Sequence, residues 1–192
     1  DVLEYQQSVA VPFWTEIAAL AGDHGIRLCL EMHPHTVAFN PSSLERLLVK
    51  TGAENLGVNM DPSHMFWQGI DPIRTIRRFG DRVWQAAAKD TELFPEAIAE
   101  NGVLEDGYRR AAADEHPVDI GGGFTINHPP AKPSWRFSAV GRGHDGEWWG
   151  EFVRTLQEVG FDDCLSIENE DSLLPPLEAI RYSVETLRHA TA

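Results

Sequence analysis

The sequence predicts an α/β fold of parallel strands joined by helices. Three observations carry that expectation. Short, almost wholly apolar runs alternate with segments of helical periodicity from residue 9 onward, each apolar run closes on a carboxylate, and four such strands can be found. With 42% of the 192 residues apolar and 24% charged, the composition is that of one globular domain, taken as 1–192.

In order, residues 9–23 place Phe13, Ile17, Leu20 and Ala21 on one helical stripe that ends at Gly22 or Gly25. IRLCLE (26–31) reads as a strand buried on both faces. PSSLERLLVKTG opens with a capping box, Ser42-x-x-Glu45, and stops as a helix at Gly52. LGVNMD (56–61) is the second strand, DPIRTIRRFGD the third helix and VWQAAAKD (83–90) the third strand. EWWGEFVRTLQEVG (147–160), CLSIE (164–168) and PLEAIRYSVETLRHA add a helix, a fourth strand and a closing helix. Residues 91–146 are rich in Pro, Gly and Asn and keep no period, so they are expected to form a long lid-like loop, folded back through Trp135, Phe137 and the GRGHD turn. Within it, GGGF (121–124) has no strand before it and reads as flexibility rather than a phosphate cradle.

Right-handed crossovers bring the carboxyl ends of parallel strands to one rim, and Glu31, Asp61, Asp90 and Glu168 all fall there. Glu31, Asp61 and Glu168 would form an oxygen-rich cage suited to Mg²⁺ or Mn²⁺, and to Zn²⁺ or Co²⁺ if an imidazole joins. His64, three residues past Asp61, is expected to face that pocket and touch substrate; His33 and His35 follow Glu31, with His33 the stronger candidate for the pocket wall. Lys89 and Asp90 are expected to pair at the rim, orienting the lid or the substrate.

A formal net charge of −14 repels phosphate backbones and anionic lipid, so neither nucleic acid nor a membrane is an expected partner. Cys29 and Cys164 sit in apolar runs and read as buried thiols in a reducing cytosol. The start DVLEYQQ has no signal-peptide character, and its first residue, Asp, reads as that of a trimmed or excerpted chain.

LEMHPHTVAFN, VNMDPSHMFWQGIDP, AKDTE, VGRGHD and LSIENED, in that order and spacing, resemble the carboxyl-terminal half of the sugar phosphate isomerase/epimerase family, the xylose isomerase-like TIM barrels. The resemblance covers nearly the whole chain. It implies a (β/α)8 barrel of which only the last four strands are evident, and an isomerase or epimerase acting on a small sugar or polyol. The reaction implied is metal-assisted proton transfer through an enediolate, with Glu31 and Glu168 moving the proton and Glu31, Asp61 and Glu168 holding a divalent metal (Mn²⁺, Mg²⁺, Co²⁺ or Zn²⁺). His64, His33 and Lys89 would bind substrate. The family's fourth ligand, a seventh-strand histidine, falls on Ala87, and QAAAKD stands where HVHAKD is usual. A methyl group cannot ligate, so metal binding is expected to be weakened. Other readings stay open: a non-catalytic homologue or fragment binding a sugar or partner, an engineered loss of the histidine, or an AP-endonuclease-like phosphodiesterase, which the acidic charge disfavours. Two open strand edges also point to a fragment of a longer product or to a half-barrel that forms a homo-oligomer.

Overall fold

The structure, a computed structural model, describes residues 2–104 and 107–190. In chain order the elements are α1 (Val2–Asp23), β1 (Leu28–Glu31), α2 (Pro41–Thr51), β2 (Leu56–Met60), α3 (Ser63–Phe66), α4 (Pro72–Phe79), a 3-10 turn (Gly80–Arg82) and β3 (Val83–Ala88). There follow β4 (Asp90–Leu93), α5 (Pro95–Asn101), β5 (Val118–Gly121), β6 (Phe124–Ile126), β7 (Trp135–Ser138), α6 (Gly146–Glu158), β8 (Leu165–Ile167) and α7 (Pro176–Ala190). No helix among the described residues is long and apolar enough to cross a membrane.

The four apolar runs form one parallel sheet in the order β1, β2, β3, β8. Alternation sorts its side chains. Leu30, Val58, Met60, Ala86 and Ala88 are buried in the main core with Leu44, Leu47, Ile76, Trp149 and Phe152 from the covering helices. Glu31, Asn59 and Gln85 share one row across the sheet, and Ala87 pairs with Ser166 in register. The sheet thus has a helix-covered apolar side and a second side carrying the acids at its carboxyl end.

Several local expectations differ from what forms. Helix α1 begins at Val2 and runs through Pro12, and it buries Gln7, Ala18 and Ala21. Phe13 and Leu20, expected on the core stripe, are 54% and 57% exposed. Small residues let α1 lie against α2, where Lys50 Nζ donates to Gln7 Oε1 at 2.5 Å. The capping box of α2 is made by Asn40 and Ser43: Ser43 N donates to Asn40 Oδ1 and Asn40 N to Ser43 Oγ, while Glu45 pairs with Arg78. Cys29 is half-buried and Cys164 exposed, both as free thiols.

The segment 91–146 carries regular structure where an unpatterned loop was expected. β4 and β7 pair antiparallel from Asp90↔Ser138 to Leu93↔Trp135, and β5 and β6 form a hairpin closed by glycines. Gly121, Gly122 and Gly123 have φ of 99°, 61° and 82°, a run only glycine tolerates, so GGG is a turn between strands.

One buried carboxylate closes this insertion onto the sheet. Asp90 is 0% exposed. It accepts from the backbone N–H of Thr91, Gly141, Gly143 and His144, from His144 Nδ1 at 2.7 Å and from Trp149 Nε1 at 3.3 Å. A Cβ on Gly143 would collide with the Thr91 carbonyl, so the turn approaches only as glycine. Asp90→Ala strips six donors of their acceptor. It is expected to cost about 3–5 kcal/mol, read as a lower urea midpoint, and a loss under about 1 kcal/mol would show that the turn is held by other means.

Candidate metal and catalytic site

Glu31 ends β1 and Asp61 follows β2, so the two carboxylates stand on adjacent strands at the carboxyl rim. The chain after Asp61 turns at once into α3. Ser63 N donates to Asp61 Oδ1 at 2.8 Å and fixes that carboxylate, and the one-turn helix returns His64 over the strand end. His64 Nε2 lies 3.4 Å from Glu31 Oε1 and 3.6 Å from Asp61 Oδ2. The three side chains offer donor atoms within 4.8 Å of one another, the arrangement a metal ion needs.

Both carboxyl groups are shifted by their surroundings. Burial pushes the Asp61 carboxyl up to about 6, against the pull of Lys89 and His64. The facing His64 imidazole, the largest influence, holds the Glu31 carboxyl below its ordinary value despite partial burial. Asp61 Oδ2 is buried without a hydrogen-bond partner. A carboxylate oxygen left that way is costly unless a cation or a proton reaches it, so the donor set fits a divalent metal.

Lys89 and Asp90, adjacent on extended backbone, point to opposite sides, so they do not form the expected pair. Lys89 is buried, donates to Glu170 Oε1 at 2.5 Å and lies 3.8 Å from Glu168 Oε2. Burial alone would lower its pKa, but Asp61, Glu170 and Glu168 outweigh that and hold the ammonium above the usual lysine range. Its Nζ also stands 4.4 Å from the Phe137 ring centroid. Glu168, whose N–H bonds the Ala88 carbonyl, is held beside Lys89 and lies outside the Glu31, Asp61 and His64 group. Ala87 is 1% exposed and presents only its methyl.

Beside the group opens a cavity of about 400 Å³, walled by His33, His35, His64, Trp67, Trp135, Phe137 and Tyr108. Trp67 and Trp135 stack at 4.9 Å and 6°, His33 and His64 have centroids 4.3 Å apart, and Phe137 meets His64 edge-on. His33 Nδ1 lies 2.6 Å from the Pro34 carbonyl, which accepts only if that nitrogen carries the proton, leaving Nε2 as an acceptor.

The fold is shared with known proteins. The family model described as xylose isomerase-like TIM barrel matches residues 4–190. The chain belongs to this family. An uncharacterized protein of Bacillus subtilis, YfiH, is 33% identical over 190 residues, covering 98% of this chain and 55% of that protein. The chain therefore spans about half the length of the curated relative it matches. Two of the solved structures that superpose on it show the likeness. One, from Mycobacterium smegmatis in complex with magnesium, has a TM-score of 0.63 at 15% identity, covering 98% of this chain and 52% of that one. The other, the 3-keto-D-glucoside 4-epimerase YcjR of E. coli, has a TM-score of 0.60 at 12% identity, covering 97% and 55%. At such identity these structures speak for the fold alone.

Of the residues singled out from the sequence, the xylose isomerase-like fold brings Glu31, Asp61, His64 and His33 together, and it sets Glu168 with Lys89 a step away. Sequence reasoning missed Glu170, whose signal was its place two residues after Glu168, on the same side of extended chain. It also missed Tyr108, which gave no signal, and Trp67, which lies inside the run VNMDPSHMFWQGIDP but was not singled out.

Because the folded pKa of Asp61 lies above its ordinary value of 3.8, neutral Asp61 is the stable form, and folding loses that contribution as pH rises through about 6. In chelated protein, Asp61→Asn is therefore expected to gain stability relative to wild type between about pH 4 and about pH 6. Paired urea titrations measure this, and a difference that does not move with pH would show that Asp61 is not held in its neutral form.

Proposed function

We propose that the chain supplies the metal-binding and proton-transfer half of a sugar isomerase or epimerase. The observation that carries this reading is the meeting of Glu31, Asp61 and His64 at the rim of adjacent parallel strands, beside a cavity with aromatic walls. Glu31 and Asp61 would hold a divalent cation, which when bound supplies polarisation of a substrate carbonyl and its neighbouring hydroxyl. Three carboxylates, Asp61, Glu170 and Glu168, act on one ammonium, Lys89, and Glu31 stands beside Asp61, a surplus of negative charge that favours a cation.

Glu31, kept ionised by its environment, is suited to take a proton from carbon, and Glu168, entering protonated, to deliver its own proton to the other face of the enediolate, after which each carboxyl group re-equilibrates with solvent. Lys89, paired with Glu168, orients that carboxylate and offers hydrogen bonds to a substrate oxygen. His33 Nε2 accepts from a hydroxyl. The cavity is walled by three imidazoles and four other aromatic rings, with no lysine or arginine among its described residues. Rings stack on the C–H faces of sugars, and an unpaired phosphate would find no cation there, so an unphosphorylated sugar or polyol is the favoured substrate.

Ala87 favours a second reading, a homologue that binds a sugar without turning it over. Deuterium wash-in from D2O into an unphosphorylated ketose, followed by proton NMR with the Mn²⁺-loaded chain, separates the two. Exchange lost on chelation, and reduced about 100-fold or more in Glu168→Gln, is expected for the isomerase. Exchange seen only after Ala87→His would assign a disabled enzyme. None in either protein, with metal bound, would leave a binding protein.

A further inference from the structure

Ala87 on β3 offers the rim only a methyl group, and three observations together show which side chain could supply a nitrogen ligand instead. First, His64 Nε2 stands 3.4 Å from Glu31 Oε1 and 3.6 Å from Asp61 Oδ2. Those spacings are long for charge-assisted hydrogen bonds, which run at about 2.7–2.9 Å. They match the edge, about 3.3–3.6 Å, of a tetrahedron whose corners lie about 2.0–2.2 Å from a central ion. Second, Asp61 is 1% exposed, and its Oδ2 is buried with no hydrogen-bond partner. Its twin oxygen is taken by Ser63 N, so the free one is aimed at the space His64 faces. Third, the oxygen-bearing alternative is drawn off: Lys89 stands by Glu168, which lies outside the group.

His64 is also held as a ligand should be. It is 5% exposed, with its ring between those of His33 and Phe137, and little rotamer freedom is left to lose on binding. We propose that His64 is the nitrogen ligand of this chain's metal site, completing with Glu31 and Asp61 a three-residue set that prefers Zn²⁺ or Co²⁺ to Mg²⁺. One imidazole with two carboxylates suits these borderline ions, whereas Mg²⁺ favours oxygen alone. The one-turn helix α3 thereby supplies what β3 lacks, and Glu168 is left free of the ion.

The proposal rests on the metal reading given under Proposed function, and the test keeps their failures apart. The chelator-stripped full chain is titrated calorimetrically with Zn²⁺, and Co²⁺ loading is followed by absorption. In His64→Asn, Zn²⁺ affinity is expected to fall by at least about 100-fold, beyond what residues outside the ligand set usually cause, while Glu168→Gln shifts it less than about 3-fold. In His64→Cys, Co²⁺ is expected to develop a thiolate charge-transfer band absent from wild type, which keeps Cys29 and Cys164. That band reads ligation directly, even if the Asn variant is unstable. Loss of affinity in Glu168→Gln with none in His64→Asn, or no band in a folded His64→Cys chain that binds Co²⁺, overturns the assignment but leaves a metal site. A wild-type chain that is folded and binds neither ion overturns the assignment and the metal reading beneath it.

Discussion

The rim of this molecule is built around one buried carboxylate that is saturated with donors, Asp90. Asp90 lies one residue past Lys89 on extended chain, so fixing the Asp90 carboxylate on one side fixes where the Lys89 ammonium points on the other. The four backbone N–H groups, the imidazole and the indole that reach Asp90 come from Thr91, from the turn 141–144 and from α6. Bringing that turn home sets the β4–β7 ribbon in place, and with it Phe137 against both Lys89 and His64. His144, which serves Asp90, stacks on Phe66 at 3.7 Å, so α3 is pressed into position by the same device. The carboxylate thus governs both walls of the cavity without lining it.

How much of this was legible in the sequence follows the range of the forces involved. The four sheet strands were visible because LCLE, LGVNM, VWQAAA and LSI are short, mainly apolar and bounded, although burial on both faces, expected of IRLCLE, does not hold: β1 buries only Leu30 fully and β8 no residue. Glu31 and Asp61 were visible because each closes an apolar strand at the carboxyl rim. The β4–β7 and β5–β6 ribbons were not, since their strands are three or four residues long, half exposed and defined by partners far along the chain. Phe13 and Leu20 misled because period gives the width of an apolar stripe and not which neighbour covers it. Lys89 and Asp90 looked like an ion pair because adjacency in sequence was read as adjacency in space.

The acids at the strand ends also fall into two kinds that their positions alone do not separate. Asp90 is saturated with donors and reads as architecture. Asp61 is as deeply buried yet has an oxygen with no donor, and that inequality distinguishes a carboxylate that holds the chain from one left available for chemistry. Glu168 lies between these limits, exposed enough to move and tethered by one ammonium.

The Trp67–Trp135 stack joins the first turn after the Asp61 strand to the end of the inserted ribbon. Two indoles lying parallel at 4.9 Å couple their electronic transitions, whereas the neighbouring Trp148 and Trp149 meet edge-on at 83°. The near-ultraviolet circular dichroism of that couple is consequently an optical strain gauge built into the cavity wall. It reports relative motion of rim and insertion while Trp14, Trp84, Trp148 and Trp149 report on the helices and the sheet.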